Sequence, residues 1–253
     1  MSRLSERLGA GVRTNSESLL GVTSLRPQTD FSQGVTIGSI LHVDENTHLE
    51  PVSYPSGSGF FRLLCYGAVQ GKTFAQRLFN LIKAHLSDPI GYLKMYFTPD
   101  WARYTQILLF MQTLDSTLRF RLGRWGLSTA IDQGQPPTPF IPLAYEMANR
   151  FAARTGGKVS AQLVESLGGM ASTAHILGGV CMGKDAAEGV IDSRNRLFNY
   201  TNAYVCDGSM ISANLGVNPS LTITALSERA MSFIEPSEAM KADGKQPWHV
   251  GFN

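Results

Sequence analysis

The chain has no phosphate-binding glycine fingerprint. Nowhere in its 253 residues does a G-x-G-x-x-G open a strand-to-helix unit, so the sequence offers no dinucleotide-holding turn of its own. Cysteine is scarce, and the three present, Cys65, Cys181 and Cys206, have neither CxxC nor metal-ligand spacing. That argues against a disulfide framework and a zinc site and leaves buried thiols as the expectation. An excess of one charge is missing too: Lys and Arg number 22 against 20 Asp and Glu, which gives no electrostatic case for nucleic acid. No window reaches the ~18 apolar residues of a membrane span. The opening residues MSRLSERLGAGVRTNSESLL also lack an apolar core of signal-peptide length. The compartment is left open, with cytoplasm as the default, and the expected partner is a small molecule or a protein.

What is present is enough apolar content, 43%, to bury one large core or two small ones. VTIGSILHVDENTHL at 35–49 reads as two short strands around a polar turn. FFRLLCYGAVQG from Phe60 is a third apolar segment without a clear period. Phe74, Leu78, Leu81, Ile82 and Leu86 recur at helical spacing while Arg77, Lys83 and His85 take other faces, and Asp88-Pro89 follows. This predicts an amphipathic helix with a sharp stop. The next stretch, GYLKMYFTPDWARYTQILLFMQTLDS, is either more helix or a strand from Gln106 to Thr113. Its aromatic residues beside Lys and Arg raise contact with a membrane or a sterol-like ligand, but an ordinary core-facing helix is the favoured reading. Leu118, Phe120 and Leu122 alternate with arginines as in a half-buried strand, and PLAYEMANRFAART reads as a helix from Pro142 to the Gly156-Gly157 stop.

Three segments toward the C-terminus carry polar groups suited to chemistry. His175 lies among Ala174, Gly178 and Gly179, and an imidazole titrates near neutrality, so it suits a general base with room for a ligand. A lone histidine is also commonly a satisfied core or loop residue. AYVCDGSMI reads as a buried strand ending at Asp207-Gly208, where a carboxylate could accept hydrogen bonds from cofactor hydroxyls, or form only an Asp-Gly turn. Asn218 is a good N-cap, with Pro219 at the first helical position and LTITALSERAMSFI continuing the helix. The start of that helix would present its positive dipole to an anionic partner.

Taken in order, HILGG at 175–179, DGS at 207–209 and NPSLTITALSER at 218–229 resemble the HxLGG, DGS and NP-x-x-T-x-x-A-L-x-E-R motifs of the glucose-methanol-choline (GMC) flavin oxidoreductases, cholesterol oxidase-like branch. VRTNSE at 12–17 and HLEPVSYPSG at 48–57 resemble the substrate domain of bacterial members, while 72–104 has no counterpart. The resemblance implies FAD as cofactor, hydride transfer from an alcohol carbon, His175 as base and Asn218 positioning the alcohol. It places Asp207, Gly208, Asn218, Pro219 and Ser220 near the flavin; Ser220 stands where the branch has a bulky residue. Glu50 takes the place of a carboxylate that moves a proton during steroid double-bond isomerisation, the alternative being a surface glutamate before a proline. The implied partners are a sterol-like or other hydrophobic alcohol, oxygen or another electron acceptor, and a separate FAD-binding chain to complete the enzyme. A truncated, non-catalytic fragment or interaction module is the rival. The expected fold is α+β, with an antiparallel sheet backed by helices over 1–170. Residues 171–235 would add a strand and a helix to an FAD domain whose Rossmann core is absent, and 236–253 would form a tail.

Overall fold

A computed structural model describes residues 4–235 apart from 115, 125, 135 and 138, with the backbone alone at 63 and 64; the expected tail at 236–253 lies outside the described residues. The chain divides into two units interleaved in sequence: 15–114 with 136–174, and 1–14 with 115–135 and 175–253.

The first unit is built on a six-stranded antiparallel sheet. Its strands are β1 (Ser18–Ser24), β2 (Leu41–His42), β3 (Thr47–Val52), β4 (Cys65–Gly67), β5 (Thr105–Gln112) and β8 (Gly157–Gln162), with β6 (Thr117–Gly123) and β7 (Gly126–Gln133) forming a hairpin in the second unit. The spatial order is β2-β3-β5-β1-β8-β4. The hairpin read around the DEN turn is present, with Leu41 opposite Leu49. The ILLFM run of β5 is buried on both faces because successive residues point oppositely. Leu108 and Phe110 enter one core with Leu20 and Val22, and Ile107, Leu109 and Met111 enter another with Trp101 and Ala102.

Helix α4 (Pro142–Thr155) lies on the first of these cores, contributing Ala144, Ala148 and Ala152 at four-residue spacing. Small side chains in one stripe let the helix axis approach the sheet closely. Pro142 stands in its first turn and Gly156 ends it in the left-handed conformation, φ 63°, as the sequence predicts.

The amphipathic helix over the KTFAQRLFNLIKAHL stretch is α1 (Phe74–Ser87), capped by Thr73, whose hydroxyl accepts the Gln76 N–H. Its expected orientation is reversed. Phe74, Phe79, Ile82 and Leu86 are 51–75% exposed, and the helix docks instead through Arg77, which is buried and donates to the Leu167 and Gly71 carbonyls. The physical reason is a crowded approach at Gly67. A Cβ there would lie 2.8 Å from Tyr92, 3.1 Å from His85 and 3.4 Å from Leu81, so polar aromatic rings, with Leu81 alone of the predicted stripe, fill the interface with the sheet. The aromatic stretch resolves into both alternatives, helices α2 (Pro89–Tyr96) and α3 (Trp101–Tyr104) followed by β5. Asp88 closes α1 and caps α2, accepting the Gly91 N–H at 2.9 Å. A short helix α5 (Leu163–Ser166) follows β8.

In the second unit, helix α6 (Ser220–Met231) packs Ile223 and Leu226 against Leu177, Ile191, Met210 and Ile211. The stretch expected as a buried strand before Asp207 is not one. It makes an isolated bridge, Arg196 with Tyr204, and Tyr204 is 37% exposed; among the described residues no neighbouring strand pairs along it, and an apolar segment without a ladder partner has nowhere to place its backbone groups as a strand. All three cysteines are free and half-buried.

Phe110 is fully buried on the central part of the sheet. Phe110→Ala is expected to cost about 3–5 kcal/mol through the cavity it leaves, whereas Leu122→Ala, at 87% exposure, should stay within about 0.5 kcal/mol of the parent. Urea denaturation of both variants checks this, and similar losses would contradict the burial of β5.

Candidate active site

The three motifs meet around one small core of the second unit. Residues 9–13 are held on one side by β6, where Val12 and Leu118 exchange backbone hydrogen bonds of 2.9 and 2.7 Å. On the other side Arg13 and Leu177 do the same at 2.7 and 2.9 Å. The HILGG turn then closes on the DGS turn: the Gly178 N–H donates to the Gly208 carbonyl and the Val180 N–H to the Ser209 carbonyl, both at 3.0 Å. Gly178 has φ 72°, and a Cβ there would lie 2.1 Å from the Gly11 carbonyl oxygen. Only glycine fits, on grounds of both backbone conformation and space.

Each functional candidate sits just ahead of a core anchor. His175, half-buried, precedes Leu177, which is wholly buried. Asp207, exposed, precedes the buried Met210 and Ile211; its Oδ1 accepts the Ser209 N–H and hydroxyl, so Asp207 shapes the turn with one oxygen. Asn218, half-buried, precedes α6. The expected cap is displaced by one residue. Pro219 occupies the cap position in helical conformation, φ −84° and ψ −4°, and its own side chain makes no cap hydrogen bond. The helix therefore begins one residue later than the sequence analysis expected, at Ser220 rather than Pro219. Ser220, exposed, is the first helical residue. The hydroxyl of Ser227 ties α6 to the Cys206 carbonyl at 3.0 Å.

Glu50 belongs to the sheet unit. It is 5% exposed on β3, opposite Leu109, which removes the surface-glutamate alternative. His48 lies two residues away on the same face, its Nε2 3.7 Å from Glu50 Oε1. Burial holds the His48 imidazole below its ordinary range, with the Glu50 carboxylate pulling the other way. The sequence analysis missed His48, although the spacing of His48 and Glu50 within a strand was a readable sign that they share a face.

A second buried carboxylate group was also missed. Glu165 is 1% exposed and Glu17 2%. The Ser172 hydroxyl donates to Glu165, and the Ala174 N–H donates to Glu17 at 2.6 Å. Burial first, and the neighbouring Glu17 carboxylate with it, pushes Glu165 up to about 7, against the hydrogen bonds from Ser172. The Glu165 carboxylate also acts on the Cys65 thiol, raised chiefly by burial to about 11, and on the Tyr145 hydroxyl, likewise raised chiefly by burial. No sequence signal marked this group, because Glu17 and Glu165 meet only through the tertiary fold. Among the described residues no cluster of His, Cys, Asp and Glu is placed to hold a metal ion.

Residues 121–227 match the family model described as GMC oxidoreductase. A cholesterol oxidase of Acinetobacter baumannii is 39% identical over 253 residues, covering 98% of this chain and 46% of that protein. A cholesterol oxidase of Mycobacterium tuberculosis is 40% identical over 241 residues, 90% of this chain and 41% of that protein. The chain thus spans less than half the length of these relatives. The crystal structure of pyridoxine 4-oxidase from Mesorbium loti aligns over 90% of this chain and 43% of that one, at 16% identity and a TM-score of 0.42, too slight a likeness to argue from.

Folding takes up a proton at Glu165 between its ordinary value of 4.5 and about 7. The unfolded chain binds fewer protons in that window, so this group makes stability fall as pH rises through it. Glu165→Gln, neutral throughout, should flatten that slope and be the more stable protein at pH 8, by at most ~3 kcal/mol. Urea unfolding at pH 5 and pH 8 measures the difference, and equal slopes in the two proteins would rule the assignment out.

Proposed function

We propose that this chain, whose residues 121–227 match the GMC oxidoreductase family model, is the catalytic portion of an FAD-dependent alcohol oxidoreductase acting on a sterol-like or other hydrophobic alcohol. The observation that carries this is the gathering of His175, the Asp207-Gly208 turn and the start of α6 around the Leu177, Met210 and Ile211 core. The residues fit a flavin: α6 begins at Ser220, and the start of a helix turns backbone N–H groups and a positive dipole end toward an electron-rich ring edge. Asp207, Gly208, Asn218, Pro219 and Ser220 would hold the cofactor. When bound, FAD supplies a two-electron acceptor for the hydride that leaves the carbinol carbon.

The remaining work falls to side chains of this chain. An imidazole nitrogen of His175 takes the hydroxyl proton, a role that needs a base titrating near the working pH. The Asn218 amide holds the hydroxyl oxygen so that the carbinol hydrogen faces the acceptor. Glu50, buried beside His48, carries a proton between carbons if the product is a steroid whose double bond migrates. Oxygen or another acceptor takes the electrons onward. A second reading, a non-catalytic fragment or one half of a split enzyme needing a separate FAD-binding chain, draws on the missing G-x-G-x-x-G and on coverage of under half of the relatives.

With a dinucleotide-binding half supplied in trans, FAD should be retained and bleached anaerobically by a sterol-like alcohol. His175→Gln should keep the bound flavin while slowing bleaching by about 10²–10⁴. Undiminished bleaching would remove His175 from the role of base. Failure to retain FAD with both halves present would favour the non-catalytic fragment.

A further inference from the structure

Glu50 has a neighbour that the chemistry above does not use. β3 sends His48, Glu50 and Val52 to one face of the sheet, since residues two apart in a strand share a side. Opposite them on β5 stand Met111, Leu109 and Ile107, all members of the apolar core that holds Trp101 and Ala102. This face is built of hydrocarbon, and yet two titratable side chains occupy it, each with 5% of its surface exposed. An apolar pair would fill the same space without giving up the hydration of an imidazole and a carboxylate.

His48 Nε2 is buried and has no hydrogen-bond partner among the described residues. It lies 3.7 Å from Glu50 Oε1, and a side-chain rotation that closes about 0.8 Å brings the two atoms to hydrogen-bond distance. Burial holds the imidazole below its ordinary range, against the pull of Glu50 and with the push of His42. His42 is the titratable group that β2 sets opposite His48, with 6.0 Å between ring centroids. From β5 the pair meets Met111 and Leu109, which carry no charge. The His48 ring is thus neutral near pH 7, and a neutral imidazole with its proton on Nε2 is a donor beside a carboxylate.

We propose that His48 is a positioning residue for Glu50: its Nε2–H donates to Oε1 and turns the other carboxylate oxygen toward the carbons between which a proton moves. The inference rests on the reading of Glu50 given under the proposed function. In that step a proton leaves one carbon for the Glu50 carboxylate, the double bond migrates, and the same proton passes to a second carbon. Glu50 ends ionised as it began, with no oxidant or reductant consumed. His48 therefore exchanges no proton with the substrate; it orients the carboxylate and favours its ionised form between turnovers.

A β,γ-unsaturated ketosteroid, offered to the chain completed in trans by a dinucleotide-binding half, isolates this step, because its conversion to the conjugated ketone needs no hydride transfer. The parent should isomerise it and Glu50→Gln should not. His48→Phe, which keeps an aromatic ring but has no donor, should lose about 10–100-fold in kcat with KM little changed. His48→Gln, whose amide nitrogen reaches the Nε2 position, should restore most of the rate, and His48→Asn, whose amide stops at the Nδ1 position, should not. In the full chain alone, NMR of isotope-labelled histidine should find the neutral His48 ring protonated on Nε2. Its titration should move to lower pH in Glu50→Gln, which removes the carboxylate that pulls it up, a reading that needs no turnover and survives should the phenylalanine variant fail to fold. Undiminished isomerisation in His48→Phe, equal rates in His48→Gln and His48→Asn, or a His48 titration indifferent to Glu50→Gln would each overturn the inference while leaving the reading of Glu50 standing. A parent that oxidises the alcohol but does not isomerise the ketone would overturn the reading of Glu50 and this inference with it.

Discussion

The sheet unit depends on β1 being paired along both edges at once. Gly21 lies opposite Ile107 of β5 on one side and Ser160 of β8 on the other, partners far apart in sequence. Leu20 and Val22 are wholly buried, so the strand's backbone groups must find protein partners. Its buried polar residues obey the same rule. The Thr23 and Thr105 hydroxyls pair at 2.8 Å, and the Ser24 hydroxyl donates to the Thr155 carbonyl at 2.8 Å. Until both β5 and β8 arrive, β1 carries unsatisfied groups, and neither neighbour is a sequential hairpin partner. Such long-range pairing is slow to form and cooperative once formed.

The second unit uses a different economy. Its core is only a few residues, Leu177, Ile191, Met210 and Ile211 with parts of α6, yet it fixes three loops. Each loop lends one anchoring residue to the core and places its polar group a few positions earlier in the chain, His175 before Leu177, Asp207 before Met210 and Asn218 before Ile223. Backbone hydrogen bonds at Gly178 and Val180 lock two of the loops together. A loop site built this way has rigidity without regular secondary structure, which is what orientation of a substrate hydroxyl would require under the proposed function.

What could be read from the sequence was local. Pro142 and Gly156 bounded α4, the DEN turn announced the β2–β3 hairpin, and the four-residue recurrence announced α1. Periodicity states that one helix face differs from the others; it does not state which face meets protein. In α1 that was decided by Arg77 and by the close approach at Gly67, contacts with segments remote in sequence. Glu165 was silent for the same reason: a glutamate in a four-residue helix carries no local mark of burial, and Glu17 and Ser172 reach it only through the fold. The stretch before Asp207 failed differently. Its apolar residues satisfy strand composition, but a strand is a relation to a neighbour, and composition cannot supply the neighbour.

The division between acid–base groups and cofactor holding has a physical consequence. The proposed base and the orienting amide are positioned by turns that close within this chain, whereas the distance over which hydride moves is set by whatever fixes the flavin ring, and that distance tolerates errors of only about an ångström. A G-x-G-x-x-G turn holds a dinucleotide by its pyrophosphate, at a helix start, and this chain has none. Under the proposed function, folding and catalysis rest on different sets of residues. Phe110 and Leu177 are wholly buried by the chain's own side chains. Under the proposed function, changes in those cores would alter stability ahead of chemistry. Changes at His175 or Asn218 would alter chemistry while leaving the cores intact, because these residues stand outside them and only their neighbours are packed.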